Sequence, residues 1–111
     1  MEENLSSENQ YIEKDIRLAR IAKALSHPAR IAIIRHIAST GNCFFNEISE
    51  GLPLAGSTVS QHLTELKKTG LIKSKACPPN VMYSINIKEW KLARKYLKKF
   101  MNMDIAGDSK K

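Results

Sequence analysis

The side chains best placed to do chemistry in this sequence stand in one short run, Ser57-Thr58-Val59-Ser60-Gln61-His62-Leu63-Thr64. Val59, Leu63 and Leu66 recur at i, i+4 and i+7, which puts them on one face of a helix. At the same period Ser57, Gln61, Thr64 and Lys68 share the opposite face, with Thr58, Ser60 and Glu65 beside them. Small hydroxyls, an amide and lysines on one helical face are poor material for catalysis. They are good material for a DNA major groove, where amides and hydroxyls meet base edges and lysines meet phosphates. An ordinary solvated helix face would carry more Glu, Lys and Arg in salt-bridging pairs. The run therefore predicts a DNA-reading helix, with Ser57, Ser60, Gln61 and Thr64 toward bases and Thr58, Lys67 and Lys68 toward phosphates. His62 falls between the polar and apolar faces; it is counted with the DNA-proximal residues and its role is left open.

Other chemistries find less support. No paired carboxylates, nucleophile–base pair or glycine-rich phosphate loop can be assembled, so an enzyme is not expected. His27, His36 and His62 lie on three different elements without ligand-like spacing, and read as a capping, a core-margin and a DNA-proximal residue. No metal and no cofactor is expected. Cys43 and Cys77 are too few for a disulfide framework. Cys43, expected at the start of a short helix where a thiolate is favoured, is a candidate thiol switch; the alternative is an ordinary small side chain.

Several elements must hold the reading helix. A first helix spans about Tyr11 to Leu25, with Ile12, Ile16, Ala19 and Lys23 in one stripe and more apolar surface than one face needs. Ser26-His27-Pro28 restarts the chain, with Ser26 able to cap and Pro28 suited to a first turn. A central helix follows from Pro28 to Ser39, carrying Ile31, Ile33, Ile34 and Ile37, and Thr40-Gly41-Asn42 ends it. A short helix from Phe44 to Glu50, a Gly51-Leu52-Pro53 turn and the reading helix make a helix-turn-helix. Ser57 or Thr58 is the expected cap, and Gly70 the left-handed stop.

Beyond Gly70, Leu71 to Ala76 reads as a strand, Cys77-Pro78-Pro79-Asn80 as a tip, and Val81, Tyr83, Ile85 and Ile87 as the returning strand. Lys73 and Lys75 share one face of this β-wing and are further phosphate candidates. A last helix, about Lys88 to Met103, aligns Trp90, Ala93, Leu97 and Phe100 in a stripe that needs a partner surface. The first helix, from the same or a second subunit, is the expected one. The fold class is thus mainly α with a two-stranded β-wing, a winged helix-turn-helix in residues 11–104 between loose segments 1–10 and 105–111.

Composition agrees with a polyanion partner. The 111 residues make one domain of net charge +7, and its charges are uneven. Five acids face three bases in the first twenty residues, whereas Ser60 to Phe100 holds ten bases and two acids. The positive field covers the reading helix and everything after it. No apolar run reaches a membrane span and no signal-peptide core is present, so a soluble, cytoplasmic protein without a membrane partner is expected.

Element order and three local motifs resemble the ArsR/SmtB family of winged-helix repressors over roughly residues 11 to 100. Leu25-Ser26-His27-Pro28-Ala29-Arg30-Ile31 is similar to its L-x-x-P-x-R-L segment. Ser57 to Leu63, with Leu66, Gly70, Leu71 and Ile72, is similar to its reading helix, and Tyr83-Ser84-Ile85 to its wing's return strand. The resemblance implies a homodimer joined through the first and last helices, here Ile12, Ile16, Ala19, Trp90, Ala93, Leu97 and Phe100. It also implies an inverted-repeat operator, with half-sites about one helical turn apart, and repression relieved by a signal. The family's metal-binding C-x-C aligns with Phe44 and Asn46, and the last helix contains no His, so metal sensing at those places is not expected. The effector is left unknown. Two other functions compete: a winged-helix protein–protein module using the Trp90–Phe100 stripe, and a redox-sensing repressor acting through Cys43.

Overall fold

The computed structural model describes residues 10–108. Among these described residues five helices and three strands follow one another as α1 (Glu13–Ala24), α2 (Pro28–Thr40), β1 (Asn42–Phe44), α3 (Phe45–Glu50), α4 (Gly56–Lys68), β2 (Ile72–Cys77), β3 (Asn80–Ile85) and α5 (Ile87–Met101). The segments expected to be loose, 1–10 and 105–111, fall outside the described residues except for 10 and 105–108.

Local chemistry sets the helix ends. α1 has Glu13 and Asp15 in its first turn and Lys23 in its last, the polarity that favours a helix dipole. Ser26, expected to cap α2, instead donates its hydroxyl to the Lys23 carbonyl at 2.7 Å. The cap is His27, whose Nδ1 accepts from the Ala29 amide at 3.1 Å, with Pro28 in the first turn behind it. The capping role assigned to His27 is therefore the one it plays. Gly41 closes α2 at φ +85°.

Ile33, Ile34 and Ile37 bury α2 at the centre of the molecule. Around them gather Cys43, Ile48, Val59, Leu63, Leu66, Leu71 and Ile72, each at most 2% exposed. This core receives something from every element that must hold α4, and burying one such aliphatic side chain is worth ~1.5–3 kcal/mol.

The sheet departs from the expected two-stranded hairpin by gaining a strand. β2 and β3 pair antiparallel with Lys73 opposite Ser84 and Lys75 opposite Met82, forming the wing. β1 adds to the other edge of β3, with Cys43 opposite Tyr83, giving the order β1-β3-β2. Three residues are too few to show a period of two, and only the open edge of β3 makes Asn42–Phe44 a strand. Ile87, expected on the returning strand, is the first residue of α5 and is exposed, because Asn86 Oδ1 caps that helix through the Glu89 amide at 3.3 Å.

Candidate nucleic-acid interface

α4 begins before the residues expected to cap it. Its cap position is Ala55, with no side-chain hydrogen bond, and Ser57 and Thr58 lie inside the first turn. Leu52 and Leu54, packed against the core, pin the entering chain upstream, so packing sets the start and the hydroxyls are released from capping. At the other end Gly70, at φ +84°, donates its amide to the Lys67 carbonyl at 2.9 Å and turns the chain into β2.

Val59, Leu63 and Leu66 bury the inner face of α4 almost completely. Ser57, Ser60, Gln61, Thr64, Lys67 and Lys68 are exposed on the outer face, and Thr58 is half-buried at its edge. Thr64 donates its hydroxyl to the Ser60 carbonyl at 3.0 Å, leaving its oxygen as an acceptor. Lys68 leans toward Glu65 at 3.4 Å, an exposed pair of little energetic weight. Lys73 and Lys75 are exposed on β2 and share one of its faces. The polar residues of α4 and the two wing lysines thus lie on solvent-facing parts of consecutive elements, whereas no described residue caps the outer face of α4.

His62 is the exception. It is 8% exposed and faces inward, so it is withdrawn from the DNA-proximal set. Arg30 Nε donates to its Nδ1 at 3.2 Å, and the His27 ring lies 4.4 Å away, tilted by 51°. Burial first, then the charges of His27 and Arg30, hold the His62 pKa below its ordinary 6.5. A neutral ring accepting at Nδ1 carries its proton on Nε2, which is buried without a hydrogen-bond partner among the described residues. The same guanidinium donates from Nη1 to the last carbonyls of α1, Lys23 at 3.3 Å and Ala24 at 3.5 Å. One side chain of α2 therefore ties the end of α1 to the inner face of α4. Sequence reasoning named Arg30 within its L-x-x-P-x-R-L-like segment and gave it no role; its signal was the presence of both Arg30 and His62 in the two similar motifs.

Cys43 does not stand at a helix start. It is the middle residue of β1, 1% exposed, with Sγ 3.0 Å from the Thr40 hydroxyl. A sulfur enclosed by the core is out of reach of solvent oxidants, which removes the thiol-switch reading. Cys43 and Cys77 are both free. Among the described residues no three His, Cys, Asp or Glu side chains converge as a metal site, and no helix is long and apolar enough to cross a membrane.

Among the residues expected at a dimer interface, Ile12 and Phe100 are 62% and 48% exposed, and Ala19 is exposed. Ile16, Trp90 and Leu97 are half-buried. Ala93 is the departure: at 5% exposure it is covered by its own chain, because α1 and α5 already meet within one subunit. Beside it Leu25, Trp90, Leu97 and Met101 line an open apolar groove of about 320 Å³.

Known proteins with these features were found by sequence and by shape. The model of a helix-turn-helix domain family matches residues 25–75, from the end of α1 to β2. The HTH-type transcriptional regulator YgaV of Escherichia coli (strain K12) is 33% identical over 67 residues, 60% of this chain and 68% of its own. An ArsR-like transcriptional regulator from Rhodococcus sp. RHA1 has a similar fold, with TM-score 0.69 at 20% identity over 81% of this chain and 84% of that one. The transcriptional repressor PagR of Bacillus anthracis matches with TM-score 0.59 at 28% identity, over 75% and 92% of the two chains.

Proposed function

The chain belongs to the helix-turn-helix transcriptional regulators and has the winged fold of the ArsR-family proteins, and we propose that it works as a homodimeric repressor. It is a DNA-binding regulator and not an enzyme. In the proposed assembly each subunit sets α4 into one of two successive major grooves of an inverted repeat, with half-sites about one helical turn apart. In this reading the protein acts in the cytoplasm, where occupancy of that operator blocks transcription.

The observation that carries this reading is the outer face of α4. Ser57, Ser60, Gln61 and Thr64 are exposed together while Val59, Leu63 and Leu66 anchor the helix from behind. Gln61 can offer its amide to an adenine edge in two hydrogen bonds, and the hydroxyls suit either donor or acceptor edges. Thr58, Lys67, Lys68, Lys73 and Lys75 supply phosphate contacts that fix orientation. The dimer reading is supported by Ile12, Phe100 and Met101, which leave apolar surface in water on the two outer helices. The working unit spans residues 11–104.

Selection of bound sequences from random duplexes, at two salt concentrations, tests the proposal. Recovery of an inverted repeat with half-sites one turn apart, bound by two subunits, is the expected result. Sequence-blind binding that only follows salt would overturn operator recognition, and a single recovered half-site bound by a monomer would overturn the dimer.

A further inference from the structure

A second concavity borders the DNA-facing surface at Lys68, where the C-terminal half of α1, the last turns of α4 and the first half of α5 meet. Its volume is about 520 Å³, inside the ~300–1,000 Å³ range of small-molecule sites. Five cationic side chains line it: Arg17, Arg20 and Lys23 of α1, Arg30 of α2 and Lys68 of α4. Two carboxylates, Glu65 and Glu89, join them; Lys68 pairs with Glu65 and Arg17 with Glu13, each at 3.4 Å, and positive charge stays in excess. The rest of the wall is largely apolar, with Ile21, Leu71, Leu92 and the Tyr96 ring. At helical period Arg17, Ile21 and Ala24 lie on a different face of α1 from Ile12, Ile16 and Ala19, whereas Lys23 continues their stripe, so the cleft opens along the edge of the dimer surface proposed above.

Apolar walls beneath an excess of guanidinium and ammonium groups suit an anion with an apolar body. A duplex phosphate fits less well, because it is fixed in a stiff backbone and cannot enter a cleft between three helices. A carboxylate can, and it offers Arg30 a charge-assisted bond stronger than the one to the neutral His62 ring. Arg30 now spends its guanidinium on His62 at 3.2 Å and on the Lys23 and Ala24 carbonyls. A ligand that draws Arg30 toward itself therefore binds better once Arg30 has released His62 and the α1 carbonyls. That difference between two states is what an effector needs in order to move an equilibrium.

We propose that this cleft binds a small organic carboxylate with an aromatic or branched aliphatic body, and that its occupancy lowers affinity for DNA by loosening the Arg30 tie between α1 and α4. The regulatory half of this proposal rests on DNA reading by α4; the binding half does not.

Calorimetric titration of the full chain with benzoate, phenylacetate and 4-methylpentanoate, each beside its uncharged amide, tests the binding half. Saturable binding of at least one acid is expected, at least tenfold weaker for its amide and at least tenfold weaker in an R20Q/K23Q variant. Both substituted positions are exposed, and an unchanged urea midpoint of the variant checks that its fold is kept. A Leu92→Trp variant, which fills the cleft, should also lose the acid. No saturable binding of any of the three acids, or equal binding of acid and amide, overturns the proposal.

The bound acid should then weaken binding to the selected operator duplex at least fivefold, and the duplex should weaken acid binding by the same factor. Acid binding with no effect on the duplex overturns the regulatory half. If R20Q/K23Q instead weakens duplex binding and flattens its salt dependence with no acid present, the cluster is a phosphate contact and the ligand reading falls. Failure of the wild-type chain to select any operator strikes the proposed function, and calorimetry still decides the binding half by itself.

Discussion

Gln61 is exposed on the middle of the α4 outer face, one turn after Ser57 and just short of a turn before Thr64. Its amide has both a donor and an acceptor to present to one base, which a hydroxyl or an ammonium group cannot match in two directions at once. Gln61→Ala should cost ~1–3 kcal/mol on the operator and little on random DNA, measured by fluorescence anisotropy on both duplexes. Equal losses on the two would remove Gln61 from the readers. His62, the next residue, does the opposite job. Its folded pKa lies below the ordinary 6.5, so in the window between the two values the unfolded chain binds the extra proton. Stability from this group is complete above pH 6.5 and is lost as pH falls through that window. His62→Gln keeps an acceptor for Arg30 without the titration. Urea midpoints from pH 7.5 to 5 should therefore fall more steeply for the wild-type chain than for the variant; parallel curves would refute the account. Spacing alone put His62 on the border between faces, and Arg30 and His27 at the start of α2 turned that border into an interior.

At the scale of elements, the proposed complex divides the work of recognition between α4 and the wing. α4 carries the groups able to distinguish bases, and β2 carries Lys73 and Lys75, point charges that read no sequence. Lys75→Ala should weaken operator and random DNA alike and reduce the slope of log affinity against log salt by about 1. An unchanged slope, from titrations between 50 and 200 mM salt (on the order of the usual range), would place the wing off the backbone. The hairpin was legible from the alternation of Tyr83 and Ile85 and from the proline tip, and the stop of α4 from Gly70. The start of α4 was not, since Ser57 and Thr58 are better caps by type than Ala55. Anchoring by Leu52 and Leu54 overrides that preference, and it leaves the hydroxyls pointing outward. β1 was also hidden, because a strand of three residues exists only by virtue of the edge it joins.

At the scale of the whole molecule, α1 and α5 form a layer behind the reading unit and leave apolar surface uncovered. Phe100 is 48% exposed and Met101 73% exposed, beside the groove bordered by Trp90 and Leu97. In the proposed dimer a second copy covers these side chains and supplies the second reading helix that an inverted repeat needs. Phe100→Glu puts a charge at the centre of such an interface and changes little in a single subunit, where the side chain already meets water. Sedimentation should report a monomer for this variant and a dimer for the wild type, with an operator affinity lowered at least tenfold. A Phe100→Glu chain that still sediments as a dimer would relocate the interface.

The sequence by itself determined what repeats along the chain: the helical periods, the Gly70 stop, the Pro28 restart, the alternation of the wing and the concentration of positive charge after Ser60. Those features depend on near neighbours and survive without knowledge of what packs where. They were enough to identify a winged helix-turn-helix and to place Gln61 and its neighbours on one face. Tertiary structure decided everything that turns on a distant partner. It buried His62 under Arg30 and His27, enclosed Cys43 in a strand, covered Ala93 within its own subunit and opened the cationic cleft between α1, α4 and α5. Burial and hydrogen bonding between residues thirty or more positions apart leave no local period, and so only the folded chain reveals them.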